Sequence, residues 1–275
     1  MDVDGFWDLV ERSAQESSNR EDRVAWLEDQ LSRLPAEEIV DFKAWFTLSA
    51  NRACTWELYA ACWMITNSGS SDGFEYFVDW LISLGRDAFD AVMDCPDHII
   101  DLPEVQRLFE LSRTYTRRQV SLSKDGGIRL IRLTRMRRVC WPDEDWPGFE
   151  RFSNAATRAY RQAMGSDRAH PAEALRARGI TSAFPFLSFI AQPNGEEWDF
   201  SDSVELMRRL PRLARHYGIA DEAVAELPAK ADTPTDGRRY TPWPHQVRLY
   251  DEGPRAWSFR RPRAGGRPVA RALKP

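Results

Sequence analysis

The residues of this 275-residue chain best suited to chemistry are the carboxylates and hydroxyls that lie between Ser71 and Arg86. Glu75 and Asp79 are four positions apart, so a helix would place both carboxylates on one face. Like charges at that spacing repel each other and require a cation, either a metal ion or an arginine. No histidine accompanies the two acids at a spacing typical of metal ligands. We therefore expect Arg52 or Arg86 to pair with them.

Two further polar residues, Ser71 and Asp72, lie where this helix is predicted to begin. A helix N-terminus can bind an anion, but the turn before it contains no lysine and matches neither a P-loop nor a nucleophile elbow. Asp72 followed by Glu75 instead fits an acidic capping box, in which side chains accept from free backbone N–H groups. No catalytic residue is predicted. The candidate binding residues are Trp56, Ser71, Asp72, Glu75, Asp79 and Arg86.

Two apolar helices joined by a polar turn are predicted to position these residues. Thr55 to Thr66 is apolar on nearly every face, which is typical of a buried helix. Asn67 to Ser71 cannot continue that helix, because Asn, Ser and Gly favour turns. The next helix carries an apolar stripe at helical spacing, and Gly85 is predicted to end it in a left-handed conformation. The two helices form an αα-hairpin, the centre of a mainly α-helical bundle.

The stretch WELYAACWMITNSGSSDGFEYFVDWLISLGR, from Trp56 to Arg86, resembles the bacterial family named domain of unknown function 4240. Similar segments occur near Phe6 and Leu34, and again from Gly195 to Gly218. The resemblance covers about residues 1–110 and 185–218. It implies a cytoplasmic bacterial protein and brings no assigned activity with it.

The amino-acid composition limits the classes of protein to which the chain can belong. Apolar residues make up 43% of the chain, with 11 Trp and 14 Phe, enough for an aromatic core. No apolar run is long enough to span a membrane, and the acidic start of the chain lacks a signal peptide's apolar region. The four histidines are scattered, and the densest acidic cluster, DCPDHIID from Asp94 to Asp101, contains a proline that favours capping aspartates over metal ligands. We expect no metal, no cofactor and a cytoplasmic location.

The charge distribution suggests partners. Residues 1–106 carry 7 basic and 22 acidic side chains, whereas residues 107–138 carry 10 and 2. The first hypothesis is a non-catalytic protein-interaction or regulatory module. The second is an enzyme or small-ligand-binding protein with its site at the central helix-turn-helix. The third is a nucleic-acid-associated protein, which we rank below protein binding. It would use a basic patch of Arg129, Arg132, Arg135, Arg137 and Arg138.

The chain divides into a helical domain, residues 1–228, and a basic tail, residues 229–275. Within the domain, residues 112–147 are predicted to be a basic insertion that contains a small β-hairpin. The tail is rich in Pro and Arg and has no hydrophobic period, so we predict that it is disordered. None of these patterns specifies an oligomeric state.

Overall fold

The computed structural model describes residues 1–67, 69–111, 113–122, 128–137, 141–184 and 192–219, with residues 113–122 and 128–137 described by their backbone. The described residues are mainly helical, which confirms the predicted fold class. The helices are α1 (Val3–Gln15), α2 (Arg20–Ser32), α3 (Ala36–Ala53), α4 (Trp56–Thr66), α5 (Ser71–Ser83), α6 (Arg86–Asp94), α7 (Pro103–Leu111), α8 (Glu150–Ala163), α9 (Ala172–Ala177), α10 (Ser203–Arg209) and α11 (Pro211–His216), with a 3₁₀ helix at Pro96–Asp101. The tail that we predict to be disordered lies outside the described residues.

One β-hairpin interrupts the helices among the described residues. Strand β1 (Arg113–Leu122) pairs antiparallel with β2 (Ile128–Arg137), from Arg113 opposite Arg137 to Leu122 opposite Ile128. The pairing is continuous, one residue against one, over the length of both strands. The β-hairpin predicted within residues 112–147 is therefore present.

The connections around the central hairpin follow from capping and turn chemistry. Thr55 begins α4 by accepting a hydrogen bond from the backbone N–H of Leu58, 3.2 Å away. Asn67 ends α4 in the left-handed region at φ 51°, a conformation that asparagine tolerates. Gly85 separates α5 from α6 at φ +101°, and a Cβ there would lie 3.2 Å from Cγ of Glu11. Glycine is thus required at this turn, as predicted from its position.

The core is aromatic and is centred on the helices that carry the candidate residues. Phe6 and Phe42 bring α1 and α3 together, with ring centroids 5.0 Å apart. Phe46 on α3 meets Phe152 on α8 at 6.2 Å. The N–H of Phe149 donates to the carbonyl of Tyr76 at 2.9 Å, which attaches the start of α8 to α5. Helices α3, α5 and α8 therefore meet at one junction.

The last two helices, α10 and α11, each begin with backbone N–H groups that donate to an aspartate. Asp202 caps α10 by accepting from the backbone N–H groups of Val204 and Glu205. Pro211 restarts the chain as α11. Asp97, on the 3₁₀ helix, is buried and accepts from the backbone N–H groups of Arg212 and Leu213 at 2.8 and 3.0 Å. The aspartate-rich segment 94–101 thus supplies the cap for α11.

Candidate functional site

The N-cap of α5 lies two residues earlier than the sequence suggests. Ser70 is the N-cap residue, and its hydroxyl accepts from the N–H of Gly73 at 3.0 Å. Asp72 lies within the first helical turn and is exposed, while Ser71 is buried and donates to the Asp72 carboxylate at 3.3 Å. The prediction that Asp72 caps the helix is therefore wrong. Ser70 replaces it because its hydroxyl reaches the N–H three residues ahead, as an N-cap must.

The two acids of α5 differ in their surroundings. Asp79 is only 3% exposed, whereas Glu75, one turn earlier, is half-buried. The predicted pairing with Arg52 or Arg86 is wrong. Arg52 pairs with Asp90 at 2.5 Å, and Arg86 pairs with Asp4 at 2.7 Å. Both arginines lie where the exposed acids of α1 and α6 are within reach, so neither extends to the buried face of α5.

The cation whose charge acts on Asp79 and Glu75 is Lys43, which extends from α3 into the junction. Its ammonium donates to the carbonyl oxygen of Ser153 on α8 at 3.1 Å and lies 5.0 Å from the ring centroid of Phe46. Its charge acts on Asp79 and Glu75 across the space between α3 and α5. Lys43 thus places a positive charge between three helices.

Sequence reasoning missed Lys43, although a signal was present. The chain has 38 basic residues, and Lys43 is the only lysine among the first 123 residues. It lies within IVDFKAWF, a run that is otherwise apolar except for Asp41. A lone lysine in such a segment indicates a specific internal partner, because lysine is almost never buried unless it is paired.

Burial is the largest cause of the pKa shifts of Lys43, Asp79 and Glu75. It lowers the pKa of Lys43, while the charges of Asp79 and Glu75 act in the opposite direction. Burial raises the pKa of Asp79, against the opposing effects of a hydrogen bond with Ser153 and the charge of Lys43. The pKa of Glu75 is also raised, first by burial. All three shifts favour the neutral forms, as expected when charged groups leave water.

The rim of the cluster is formed by Tyr76 and Glu150. Burial and the nearby Glu150 charge raise the pKa of Tyr76 to about 12, so its hydroxyl keeps its proton. Chemically, this cluster joins a carboxyl with raised pKa to an amine with lowered pKa, a combination that can exchange protons. It is enclosed by packed helices, because Asp79 is buried on the inner face of α5.

The other predicted site residues do not converge on this cluster. Trp56 is buried at the start of α4 and meets Phe200 edge to face, with centroids 6.1 Å apart. Ser71 begins α5, whose 13 residues span about 20 Å, and Arg86 lies beyond the far end of α5 as the first residue of α6. Of the six predicted residues, the structure thus brings together Glu75 and Asp79, with Lys43 as their unpredicted partner.

A second charged cluster, around Arg209 on α10, was also missed. Arg209 pairs with Glu57 and Glu196 at 2.6 Å and with Glu205 at 3.0 Å. Its guanidinium lies 5.2 Å from the ring centroid of Trp198. The Arg209 side chain is 10% exposed, so it is enclosed by its partners. This arrangement joins the start of α4 to α10.

A small cavity of about 210 Å³ lies elsewhere, between α2 and α8. Its lining combines Val24 and Ala25 with Glu21, Glu28, Arg151 and Arg158. Arg158 and Glu28 form an ion pair at 2.6 Å across it. None of the predicted site residues lines this cavity.

The predicted basic patch is divided by the register of the β-hairpin. Alternate residues of a strand share a face, and partners in the register share it too. Arg129, Arg135 and Arg137 therefore belong to one face, and Arg132 belongs to the other. Arg138 lies outside the described residues. The face of Arg129 also includes Arg113 and Arg117, which the prediction did not name.

Neither a metal site nor a membrane span is found among the described residues. Among the residues that the structure describes, no three His, Cys, Asp or Glu side chains are grouped closely enough to hold a metal ion. In the same part of the chain, no helix combines the length and the apolar character needed to cross a membrane.

The fold is that of a mainly helical domain whose charged groups join helices to one another. Comparison with known families identifies the domain. Residues 1–162 match the family described as a protein of unknown function, DUF4240, and the chain belongs to that family. The match includes residues 112–147, predicted as an insertion, and ends before the similar segment at Gly195. No curated protein and no solved structure matches the chain.

Proposed function

We propose that this protein is a non-catalytic module that binds another protein through its acidic helical surface. The supporting observation is an excess of exposed carboxylates. Residues 1–111 carry 23 acidic and 8 basic side chains. Such a surface attracts a cationic partner and speeds its association. Several exposed acids on different helices make no ion pair with any described residue, namely Glu16, Glu21, Glu37, Asp87 and Glu104.

The non-catalytic part of the proposal is supported by the contacts of four buried or half-buried acids. Asp79 is buried beside Lys43, and Asp97 accepts two backbone hydrogen bonds at the start of α11. Glu57 and Glu205 hold Arg209. Each of these carboxylates has a role in joining helices, which accounts for its position without a reaction.

Affinity capture tests the proposal. The full chain is immobilised, and proteins retained at low salt are compared with those retained at high salt. A charge-reduced variant, Glu16→Gln/Glu37→Gln/Asp87→Asn, serves as the comparison because all three residues are exposed. We expect one defined protein with a basic segment, which the parent chain retains, which high salt releases and which the variant retains less strongly.

A broad hydrolase screen tests whether the protein is an enzyme instead. Turnover by the parent chain that disappears in the Glu75→Gln/Asp79→Asn variant would replace the binding proposal with an enzyme. The substitutions keep the size of the side chains, so the variant retains the volume of the junction. Far-ultraviolet circular dichroism confirms that the variant folds, which separates loss of a site from loss of the fold.

A second candidate function is contact with nucleic acid through the β-hairpin. The observation that favours it is the register, which assigns Arg113, Arg117, Arg129, Arg135 and Arg137 to one face of a two-stranded ribbon. A ribbon of two strands fits the major groove of DNA, and arginines release counterions from phosphates. A gel shift at low salt tests this candidate. Failure of the parent chain to shift DNA or RNA removes it.

A further inference from the structure

The segment between the β-hairpin and α8, residues 141–149, exposes a tryptophan on an acidic loop. We call this segment the tryptophan loop. Trp146 is 41% exposed, and its ring meets that of the half-buried Trp141 with centroids 5.5 Å apart. An indole offers a large apolar face, which makes tryptophan frequent among the residues that dominate protein interfaces.

The loop is held in one conformation by backbone contacts. The guanidinium of Arg20 donates to the carbonyl oxygens of Trp146 and Gly148, at 2.6 and 2.9 Å. The N–H of Trp146 donates to the carbonyl of Pro142 at 3.0 Å. A Cβ on Gly148 would lie 2.9 Å from the Trp146 indole nitrogen, so the ring packs directly over this glycine. A partner would therefore lose little free energy in ordering the loop.

The carboxylates of the loop outnumber the cations that contact it. Asp145 pairs with Arg107 at 2.5 Å, and Glu144 lies 4.0 Å from the Arg20 guanidinium and accepts from the Arg20 backbone N–H at 3.3 Å. Glu144 stays 57% exposed, and the exposed Asp143 makes no ion pair with any described residue. A cation above an indole face is attracted by the ring, and carboxylates beside the ring add to that attraction.

We infer that the tryptophan loop is the docking surface for a cationic, arginine- or lysine-bearing segment of a partner protein. A guanidinium or ammonium of the partner would lie on the Trp146 ring, with the Asp143 and Glu144 carboxylates beside it. This inference rests on the proposed function: the acidic helices attract the cationic partner, and the tryptophan loop is the place where it docks. Charge complementarity selects a cationic segment over an apolar one, since burying both carboxylates against apolar groups would be costly.

The test uses the full chain and a synthetic peptide of alternating Arg and Gly, with a Gln and Gly peptide of equal length as its control. Binding is measured by isothermal titration calorimetry. Trp146→Ala is expected to weaken binding of the arginine peptide about tenfold. Leu48→Ala is the matched control, because Leu48 is 42% exposed on α3. The Leu48 variant is expected to bind within about twofold of the parent.

A second pair of variants separates the local charge from the net charge. Asp143→Asn/Glu144→Gln is expected to weaken binding of the arginine peptide by about fivefold, more than Glu37→Gln/Asp87→Asn, which removes the same number of exposed charges elsewhere. Equal weakening by both charge variants, or equal weakening by Trp146→Ala and Leu48→Ala, would overturn the inference. Binding of the glutamine peptide as tight as that of the arginine peptide would also overturn it, as would self-association of the chain that Trp146→Ala abolishes.

The two proposals fail in different ways. If the parent chain captures a defined protein and the Trp146→Ala variant captures it equally well, the docking surface is wrong and the binding function stands. If the parent chain captures no protein and binds neither peptide, both are wrong. Because Trp146 is exposed, its variant is expected to keep the circular dichroism spectrum of the parent.

Discussion

The cluster around Lys43 and the cluster around Arg209 differ in how the cation contacts its carboxylates. Both place one cation among carboxylates from different helices. Arg209 makes direct ion pairs with Glu57, Glu196 and Glu205. Lys43 donates to the Ser153 carbonyl, and its charge reaches Asp79 through space, with no direct ion pair between them among the described residues.

The difference follows from the chemistry of the two cations. A guanidinium has five donors in a planar fork, so Arg209 can donate to three carboxylates at once. An ammonium is a compact charge whose pKa shifts readily on burial. The Arg209 cluster therefore behaves as a fixed network of ions. The Lys43 cluster changes its charge with its surroundings, because burial moves the pKa of both Lys43 and Asp79 toward neutral forms.

The largest effect is expected at the Lys43 cluster. Lys43→Met removes the only cation near Asp79 among the described residues, and we expect the free energy of unfolding to fall by about 3 kcal/mol. Asp79 is already protonated, so the variant leaves no unpaired buried carboxylate and the loss stays at this lower end of the usual range. The double variant Lys43→Met/Asp79→Leu should recover most of it, because apolar groups can replace a buried pair. Chemical denaturation measures both values, and a single variant as stable as the parent would contradict the comparison.

The Arg209 cluster should respond somewhat less. Arg209→Ala removes three ion pairs and the contact with Trp198, and we expect a loss of about 2 kcal/mol in the free energy of unfolding. Arg209→Lys should keep only part of that stability, since an ammonium cannot reproduce the fork. If lysine restored full stability, the distinction between the two cations would be lost.

The pH dependence of stability should differ between the clusters. Because the pKa of Asp79 is raised in the folded chain, its stabilising contribution is full below the unfolded pKa and is lost as pH rises through the folded pKa. The free energy of unfolding should fall by at most about 1.4 kcal/mol per pH unit in that window. Asp79→Asn should reduce this slope, leaving the part that the raised pKa of Glu75 contributes, and Arg209→Ala should leave it in place. A parent chain without the slope would count against a buried, protonated Asp79.

The smallest effect is expected at an exposed ion pair that serves as a reference. Arg33 and Asp29 on α2 lie 2.6 Å apart, with both side chains more than half exposed. Water screens such pairs, so Arg33→Ala should change the free energy of unfolding by no more than about 0.5 kcal/mol. A loss as large as that of Arg209→Ala would show that burial does not set the order of these effects.

Local features of the fold could be predicted from the sequence because their causes are local. Gly85 has a positive φ, Asp202 caps α10, and Pro211 restarts the chain as α11, as their residue types indicate. The cap of α5 was misplaced by two residues, because Ser70, Ser71 and Asp72 can all serve as an N-cap.

The partners of the buried acids could not be predicted, because they come from distant parts of the chain. Arg209 and Glu57 are 152 positions apart, so no spacing rule connects them. Lys43 lies on α3, while Asp79 and Ser153 lie on α5 and α8, and packing alone brings them together. Sequence spacing showed that Glu75 and Asp79 need a cation, but the choice between arginine and lysine depends on tertiary packing.

The central claim is that Asp79 is held protonated at the junction of α3, α5 and α8 and therefore has a structural role. Carbon-13 labelling of aspartate, with NMR assignment of the Asp79 carboxyl through the Asp79→Asn variant, measures its titration directly. The account predicts that Asp79 titrates far above the usual range of aspartate, because burial raises its pKa. An Asp79 carboxyl that titrates within the usual range of aspartate would contradict the account.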